Sequence, residues 1–196
     1  KDKKIIPSLA VILVGDNPAS SVYVRSKAKT FKKLNLFSKT FTLSSDVSSE
    51  DLLDLIFKLN QNVKYHGILV QLPLPKHINS QKIIDSISPE KDVDGFHPQN
   101  VGLLTIGNPR FIPCTPKGIM RILEYYSISL EGKHVVIVGR SNIVGRPISI
   151  LCSDKGLNKK ATVTICHSGS KDISNYTKVA DVVMVALGVP NFLSAE

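Results

Sequence analysis

Short apolar runs alternate along the chain with amphipathic stretches, at spacings that read as strands and helices in turn. Leu9-Ala-Val-Ile-Leu-Val14 is a continuous apolar run of strand length, the pattern of a strand buried on both faces. Gly15-Asp-Asn-Pro18 closes it with a turn signal, and a helix is expected over roughly 21–34, with Ser20 or Ser21 as its cap. Phe37 to Leu43 alternates as a second strand. Ser48-Ser-Glu-Asp51 joins a capping hydroxyl to early acids and opens a helix that runs to about Asn60. Gly67-Ile-Leu-Val-Gln71 is a third strand, stopped by Leu72-Pro-Leu-Pro75, and Asn79 or Ser80 begins a short helix to about Ile87. This β-α-β-α-β-α order calls for a parallel sheet with helices packed on its faces.

Residues 88–114 carry several Gly and Pro and read as loop, and a helix is expected from Thr115 to Tyr126, with Pro116 in its first turn. A second unit follows. His134 to Val138 is a strand, Gly139 to Gly145 a turn, and Pro147 falls in the first turn of a helix. Ala161 to Cys166 and Asp181 to Ala186 are further strands, separated by a short helix from Asp172 to Ala180. The predicted fold class is α/β: two parallel-sheet units, residues 1–114 and 115–196, the second of them Rossmann-like. Three strands are few for a complete nucleotide-binding domain, so the second unit is expected to be incomplete at its C-terminus.

Composition narrows the classes. The chain has 196 residues, enough for two small α/β domains with a real core. Hydrophobic residues at 42% and charged residues at 21% are ordinary globular values, which exclude disorder and coiled coil. No apolar run approaches the ~18 to 20 residues that span a bilayer, so no membrane association is expected. Lys1 to Ile6, followed by Pro7, lacks the apolar core and cleavage site of a signal peptide. The net charge of +9 is spread evenly over the two halves, which suits an anionic small molecule such as a phosphorylated cofactor or a polycarboxylate. Aromatic residues are 6% with no Trp, which leaves no stacking platform for nucleic acid. Cys114, Cys152 and Cys166 are odd in number and form no C-x-x-C pair. That favours a reducing compartment and argues against structural zinc; no metal is expected.

Gly139-Arg-Ser-Asn-Ile-Val-Gly145 lies between a predicted strand and a predicted helix, where a glycine turn sets backbone N–H groups and a helix N-terminus against a phosphate. It departs from G-x-G-x-x-G because Ser141 stands where the middle glycine would be; an ordinary tight βα connection is the other reading. An NAD binder usually has Asp or Glu at the end of the next strand to hold the ribose hydroxyls. Here that strand ends Cys166-His167-Ser168, with Lys171 nearby, while Arg140 and Arg146 flank the turn. This basic set favours NADP over NAD, although His167 and Lys171 also read as solvated loop residues.

In the first unit, Tyr23 and Lys27 are four apart and share a helix face. Arg25, Lys29, Lys32 and Lys33 on the same helix read as a solvated face. A Lys27 placed near other cations and partly desolvated would have a lowered pKa and act as an acid or base. Gln71 ends the third strand, and strand carboxyl ends are where open parallel sheets bind ligands; it also reads as a simple turn cap. In Lys91-Asp-Val-Asp-Gly95, Asp92 reads as a structural loop acid. Asp94 is placed to hold a cation or to accept hydrogen bonds from a basic heterocycle.

Five motifs occur together and in order: Tyr23-Val-x-Ser-Lys27-x-Lys29, Gly67-Ile-Leu-Val-Gln-Leu-Pro-Leu-Pro75, Pro89-Glu-Lys-Asp-Val-Asp-Gly95, Pro113-Cys-Thr-Pro116 and Gly139-Arg-Ser-x-Ile-Val-Gly-x-Pro147. In this the chain resembles the methylenetetrahydrofolate dehydrogenase/cyclohydrolase family over nearly its whole length. The resemblance implies an N-terminal catalytic, folate-binding domain and a C-terminal NADP-binding domain, with a cleft between them that brings the nicotinamide to the folate methylene carbon. It implies oxidation of methylenetetrahydrofolate by NADP and hydrolysis of the resulting methenyltetrahydrofolate to formyltetrahydrofolate. Carried over by motif, Lys27 is the acid–base residue, Tyr23 stacks on or orients the folate, Gln71 assists Lys27, Leu72 lines the substrate site and Asp94 anchors the pterin. Thr115, Gly139, Arg140, Ser141, Gly145, Arg146, His167 and Ser168 would surround the cofactor. The resemblance further implies a homodimer, a polyglutamylated folate whose anionic tail suits the basic surface, and a cytoplasmic or mitochondrial-matrix enzyme. Relatives carry an extra N-terminal helix and, past the point matching Glu196, a further strand, a Gly- and Pro-rich substrate loop and a final helix, so this chain reads as a trimmed form. A dehydrogenase without useful cyclohydrolase activity and a non-catalytic module that binds NADP or RNA are the competing readings, the few aromatics speaking against RNA.

Overall fold

β1 (Ser8–Val14) is buried at all of its positions. It pairs in parallel with β2 (Phe37–Leu43) on one side and β3 (Gly67–Val70) on the other, giving the order β2-β1-β3. Successive side chains of a strand point to opposite faces, so β1 serves two cores at once. Leu9, Val11 and Leu13 join Leu69 and Val24 on one face, with Phe31 and Val93 packed against them. Ala10, Ile12 and Val14 join Ile68, Val70, Leu52, Ile56, Leu59 and Ile83 on the other. Burying each of these aliphatic side chains contributes about 1.5–3 kcal/mol. The computed structural model describes residues 5–155 and 160–194. The charged residues 1–4, the segment 156–159 and the terminal residues 195–196 lie outside the described residues.

The helices follow from local chemistry. α1 (Pro18–Lys33) is capped by the Asn17 side chain, which accepts from the Ser20 N–H at 3.1 Å. The cap is therefore Asn17 and not Ser20 or Ser21. Pro18 is the first helical residue, where a missing N–H costs nothing, and Asn-Pro starts the helix instead of only ending the strand. α2 (Ser49–Gln61) is capped as expected, by Ser48 accepting from the Asp51 N–H at 3.0 Å. α3 (Ser80–Ser86) is capped by Asn79. Val24 and Phe31 of α1 lie against one face of the sheet, and Leu52, Ile56 and Leu59 of α2 with Ile83 of α3 lie against the other.

The chain divides into two compact units at Gln99/Asn100. The expected loop over 88–114 contains a helix, α4 (Pro98–Thr105), whose Leu104 packs with Met120, Leu123 and Leu151 in the second core. Pro98 and Gly102 had disguised it as a loop. α5 (Cys114–Tyr125) begins one residue before the expected Thr115. The second sheet has β4 (His134–Val138) at its centre, flanked in parallel by β5 (Thr162–Cys166) and β6 (Val182–Val185), in the order β5-β4-β6. α6 (Gly145–Ser153) follows β4, and α7 (Ile173–Thr177) is shorter than the expected 172–180. Among the described residues no helix is long and apolar enough to cross a membrane.

One contact fixes the first sheet's free edge. A bridge between Ile68 and Asp92 lays the 91–93 segment alongside β3. A Cβ on Gly67 would meet Val93 Cγ1 at 2.4 Å and Leu9 Cδ1 at 3.2 Å. Only a residue without a side chain lets the segment come this close. Gly67→Ala is therefore expected to destabilise the protein by about 1–3 kcal/mol through overpacking. Urea unfolding followed by circular dichroism would measure it, and an unchanged midpoint would contradict the close approach.

Candidate active site

Two periodicities bring the first polar pair together. On α1, Lys27 lies one turn from both Val24 and Phe31, so it occupies the stripe that faces the sheet. On β3, alternation from Leu69 places Gln71 on the face that α1 covers. The Gln71 N–H still donates to Ile12 O at 2.9 Å, so the residue is held in line with the strand. Lys27 Nζ donates to Gln71 Oε1 at 2.9 Å, and Gln71 Nε2 donates to Leu72 O at 2.9 Å. The second bond fixes which end of the amide faces the ammonium. Leu72 O also accepts from Ser20 Oγ at 3.5 Å. Leu72 is partly buried and joined to Pro73 by a cis peptide. Tyr23, one turn before Lys27, is 63% exposed, so its ring is free to meet a ligand.

Asp94 completes the cluster. Burial pushes its carboxyl up to about 6; Lys27 opposes the shift and Asp92 adds to it. Asp92 itself is buried, and its carboxylate accepts the His97 N–H at 2.8 Å. The two acids thus differ: Asp92 secures the loop, while Asp94 shares the field of Lys27. The loop that carries them is tied down by Lys91, whose Nζ donates to Leu59 O at 3.0 Å and to Asn62 O at 2.9 Å. Lys91 was not singled out from the sequence, because its acceptors are backbone carbonyls some thirty residues earlier. Its place inside the Lys91–Gly95 motif was the only signal.

In the second unit the β4–α6 turn is tight. Gly139 has φ +122°, and a Cβ there would lie 2.7 Å from Ala186 O. A Cβ on Gly145 would lie 2.2 Å from Gly139 O. Ser141, in the place of the middle glycine, closes the turn: its Oγ accepts from the Val144 N–H at 3.1 Å, and its carbonyl accepts from the Arg146 N–H at 3.0 Å. Donors that a helix N-terminus would offer to a phosphate are therefore engaged within the turn. Arg140 and Arg146 are both exposed beside the turn. At the tip of β5, His167 Nδ1 accepts from the Gly169 N–H at 3.0 Å, the His167 N–H donates to Ser170 Oγ at 3.0 Å, and Ser168 is exposed. The Gly139 N–H donates to Cys166 O at 2.8 Å, so the turn and the β5 tip are adjacent. Thr115 is exposed in the first turn of α5. The basic and hydroxyl groups around this turn fit a phosphorylated dinucleotide.

Fold and geometry together define a two-unit α/β protein with a Lys–Gln–Asp cluster on one parallel sheet and a dinucleotide-type turn on the other. Residues 1–94 match the catalytic domain of the tetrahydrofolate dehydrogenase/cyclohydrolase family, and residues 113–196 match its NAD(P)-binding domain. The chain is 53% identical over 192 residues to the bifunctional protein FolD of Streptococcus agalactiae, covering 98% of this chain and 66% of that protein. It is 52% identical to bifunctional protein FolD 2 of Geobacter metallireducens, covering 100% of this chain and 67% of that one. Among solved structures, the bifunctional methylenetetrahydrofolate dehydrogenase/cyclohydrolase of Campylobacter jejuni is 52% identical with a TM-score of 0.91, over 96% of this chain and 66% of that one. The Trypanosoma brucei enzyme, complexed with NADP cofactor and inhibitor, is 37% identical with a TM-score of 0.88, over 94% of this chain and 62% of that one. The chain belongs to the tetrahydrofolate dehydrogenase/cyclohydrolase family. It spans 66% of the length of the streptococcal relative.

The Asp94 carboxyl gives a signed test. Its folded pKa of about 6 lies above the ordinary 3.8, so the folded state holds the extra proton between those values. Its contribution to stability is present below the ordinary value and is lost as pH rises through about 6. Stability of the native protein relative to Asp94→Asn should therefore fall across that window. Denaturant melts at a series of pH values would read this, and a difference that stays flat with pH would overturn the assignment.

Proposed function

We propose that the protein oxidises methylenetetrahydrofolate with NADP and hydrolyses the product, methenyltetrahydrofolate, to formyltetrahydrofolate. The observation that carries the reading is the 2.9 Å bond from Lys27 Nζ to Gln71 Oε1, beside an Asp94 carboxyl raised to about 6. Bound NADP would supply the hydride acceptor for the methylene carbon. Everything else falls to the chain. Tyr23 lays its exposed ring against the folate, and Asp94, ionised above about pH 6, accepts hydrogen bonds from the pterin N–H groups. As water adds to the methenyl cation and the ring opens, a proton has to be moved. Lys27 moves it, with Nζ held in position by Gln71. Arg140, Arg146, Ser141, His167 and Ser168 would hold the phosphorylated ribose, with Thr115, Gly139 and Gly145 shaping the rest of the cofactor site. The absence of an acid from His167 to Lys171 supports NADP over NAD.

The same reading includes finer points. The net charge of +9 supports a polyglutamylated folate. The cysteines Cys114, Cys152 and Cys166, joined in no disulfide, support a reducing compartment, the cytoplasm. Ile122, Tyr125 and Tyr126, exposed on and just after α5, support a homodimer.

In the full-length protein, Lys27→Met is expected to lower methenyltetrahydrofolate hydrolysis by about 10²-fold or more. The assay follows loss of the methenyl chromophore; undiminished hydrolysis would remove Lys27 from the mechanism. The KM for folate should also rise as pH falls below about 6, where Asp94 takes up its proton and loses acceptor capacity. Steady-state kinetics from pH 5 to 8 would show this, and a pH-independent KM would release Asp94 from the pterin.

A further inference from the structure

We infer that Lys91 is a positioning residue for the folate head group, tying the loop that carries Asp94 to the C-terminal end of α2. The inference rests on the reading of Asp94 as the pterin anchor. The last turn of α2 grips this loop from two sides. Asn60 Nδ2 donates to Ser86 O at 2.8 Å, and Asn60 Oδ1 accepts the Ser88 N–H at 2.9 Å. Ser88 O in turn accepts the N–H groups of Lys91, at 2.8 Å, and of Asp92, at 3.0 Å. Lys91 then reaches back, donating to Leu59 O and Asn62 O. These carbonyls lie at the negative end of the helix dipole, where a cation is favoured. Burial lowers the Lys91 pKa from the ordinary lysine value.

The backbone of the same residue faces the sheet. Lys91 O accepts the Ile68 N–H at 2.7 Å, and Val93 packs against the α1-side core. Lys91 thus joins α2 to β3, with Asp94 three residues further along. The charged groups that act on the Asp94 carboxyl are Lys27 and Asp92. The Lys91 ammonium is turned to the α2 carbonyls, so it governs where Asp94 stands and leaves the chemistry of Lys27 and Gln71 alone. Loss of the tie removes binding that ground state and transition state share, which raises KM and leaves kcat in place.

The experiment uses the full-length protein with methylenetetrahydrofolate and NADP as substrates, following NADPH formation. Lys91→Met and Asn60→Ala should each raise the folate KM about tenfold, with kcat and the KM for NADP within about twofold of the parent. Lys91→Arg, which keeps the charge and the donors, should restore the folate KM. Should Lys91→Met fail to fold by circular dichroism, Asn60→Ala decides: a raised folate KM with an unchanged kcat supports the inference, and an unchanged KM overturns it. Folded variants with unaltered KM, or with kcat and KM for both substrates changed together, also overturn it. No turnover by the parent protein would overturn the functional reading and this inference with it.

Discussion

β1 is packed on both faces and hydrogen-bonded along both edges, and that saturation decides where the first unit can do chemistry. An interior strand of this kind has no room for a charged or hydrated side chain along its length. Polar groups are displaced to the strand ends and to the segments that leave them. Gln71 is the first residue past β3, and Asp94 lies just past the segment that continues the sheet beyond it. Lys27 reaches them from a helix, on a stem long enough to bridge from a core-facing position to a polar end. The second unit repeats the logic around β4, whose successor is the Gly139–Gly145 turn.

The site therefore depends on parity. Had the pattern slipped by one residue along β3, Gln71 would face α2 and the Lys27 ammonium would meet a different neighbour. The loop bearing Asp94 depends on a different constraint, the grip of α2 on residues 86–91. Strand alternation and helix-end hydrogen bonding thus place the two halves of the cluster independently.

These two constraints explain what the sequence made legible. All six strands of the described residues could be read: β1, β3 and β4 are buried almost throughout and write themselves as apolar runs, whereas β2 shows by alternation. Lys27 and Gln71 could be nominated from helix and strand periods, although their meeting is a tertiary fact. Three features could not be read. The Asn17 cap was hidden because Asn-Pro signals a turn and a helix start alike. α4 was hidden by Pro98 and Gly102, and its Leu104 is held by tertiary packing. The tie made by Lys91 showed only as a place in the Lys91–Gly95 motif, because its partners are carbonyls, which every residue has. Ser141 was legible as a departure from a glycine pattern, but its use as an internal acceptor for the Val144 N–H required the folded turn.

The missing side chain at Gly67 also ties two distant positions into one unit of variation. The space that residue 67 leaves is filled by Val93, twenty-six residues away along the chain and next to the acid that faces Lys27. Any lineage that enlarged position 67 would have to shrink position 93 in compensation, and the allowed substitutions at the two sites should be anticorrelated in volume. A residue with no functional group would then restrict how the neighbourhood of Asp94 can drift, because the site's spacing is stored partly in an atom that is not there.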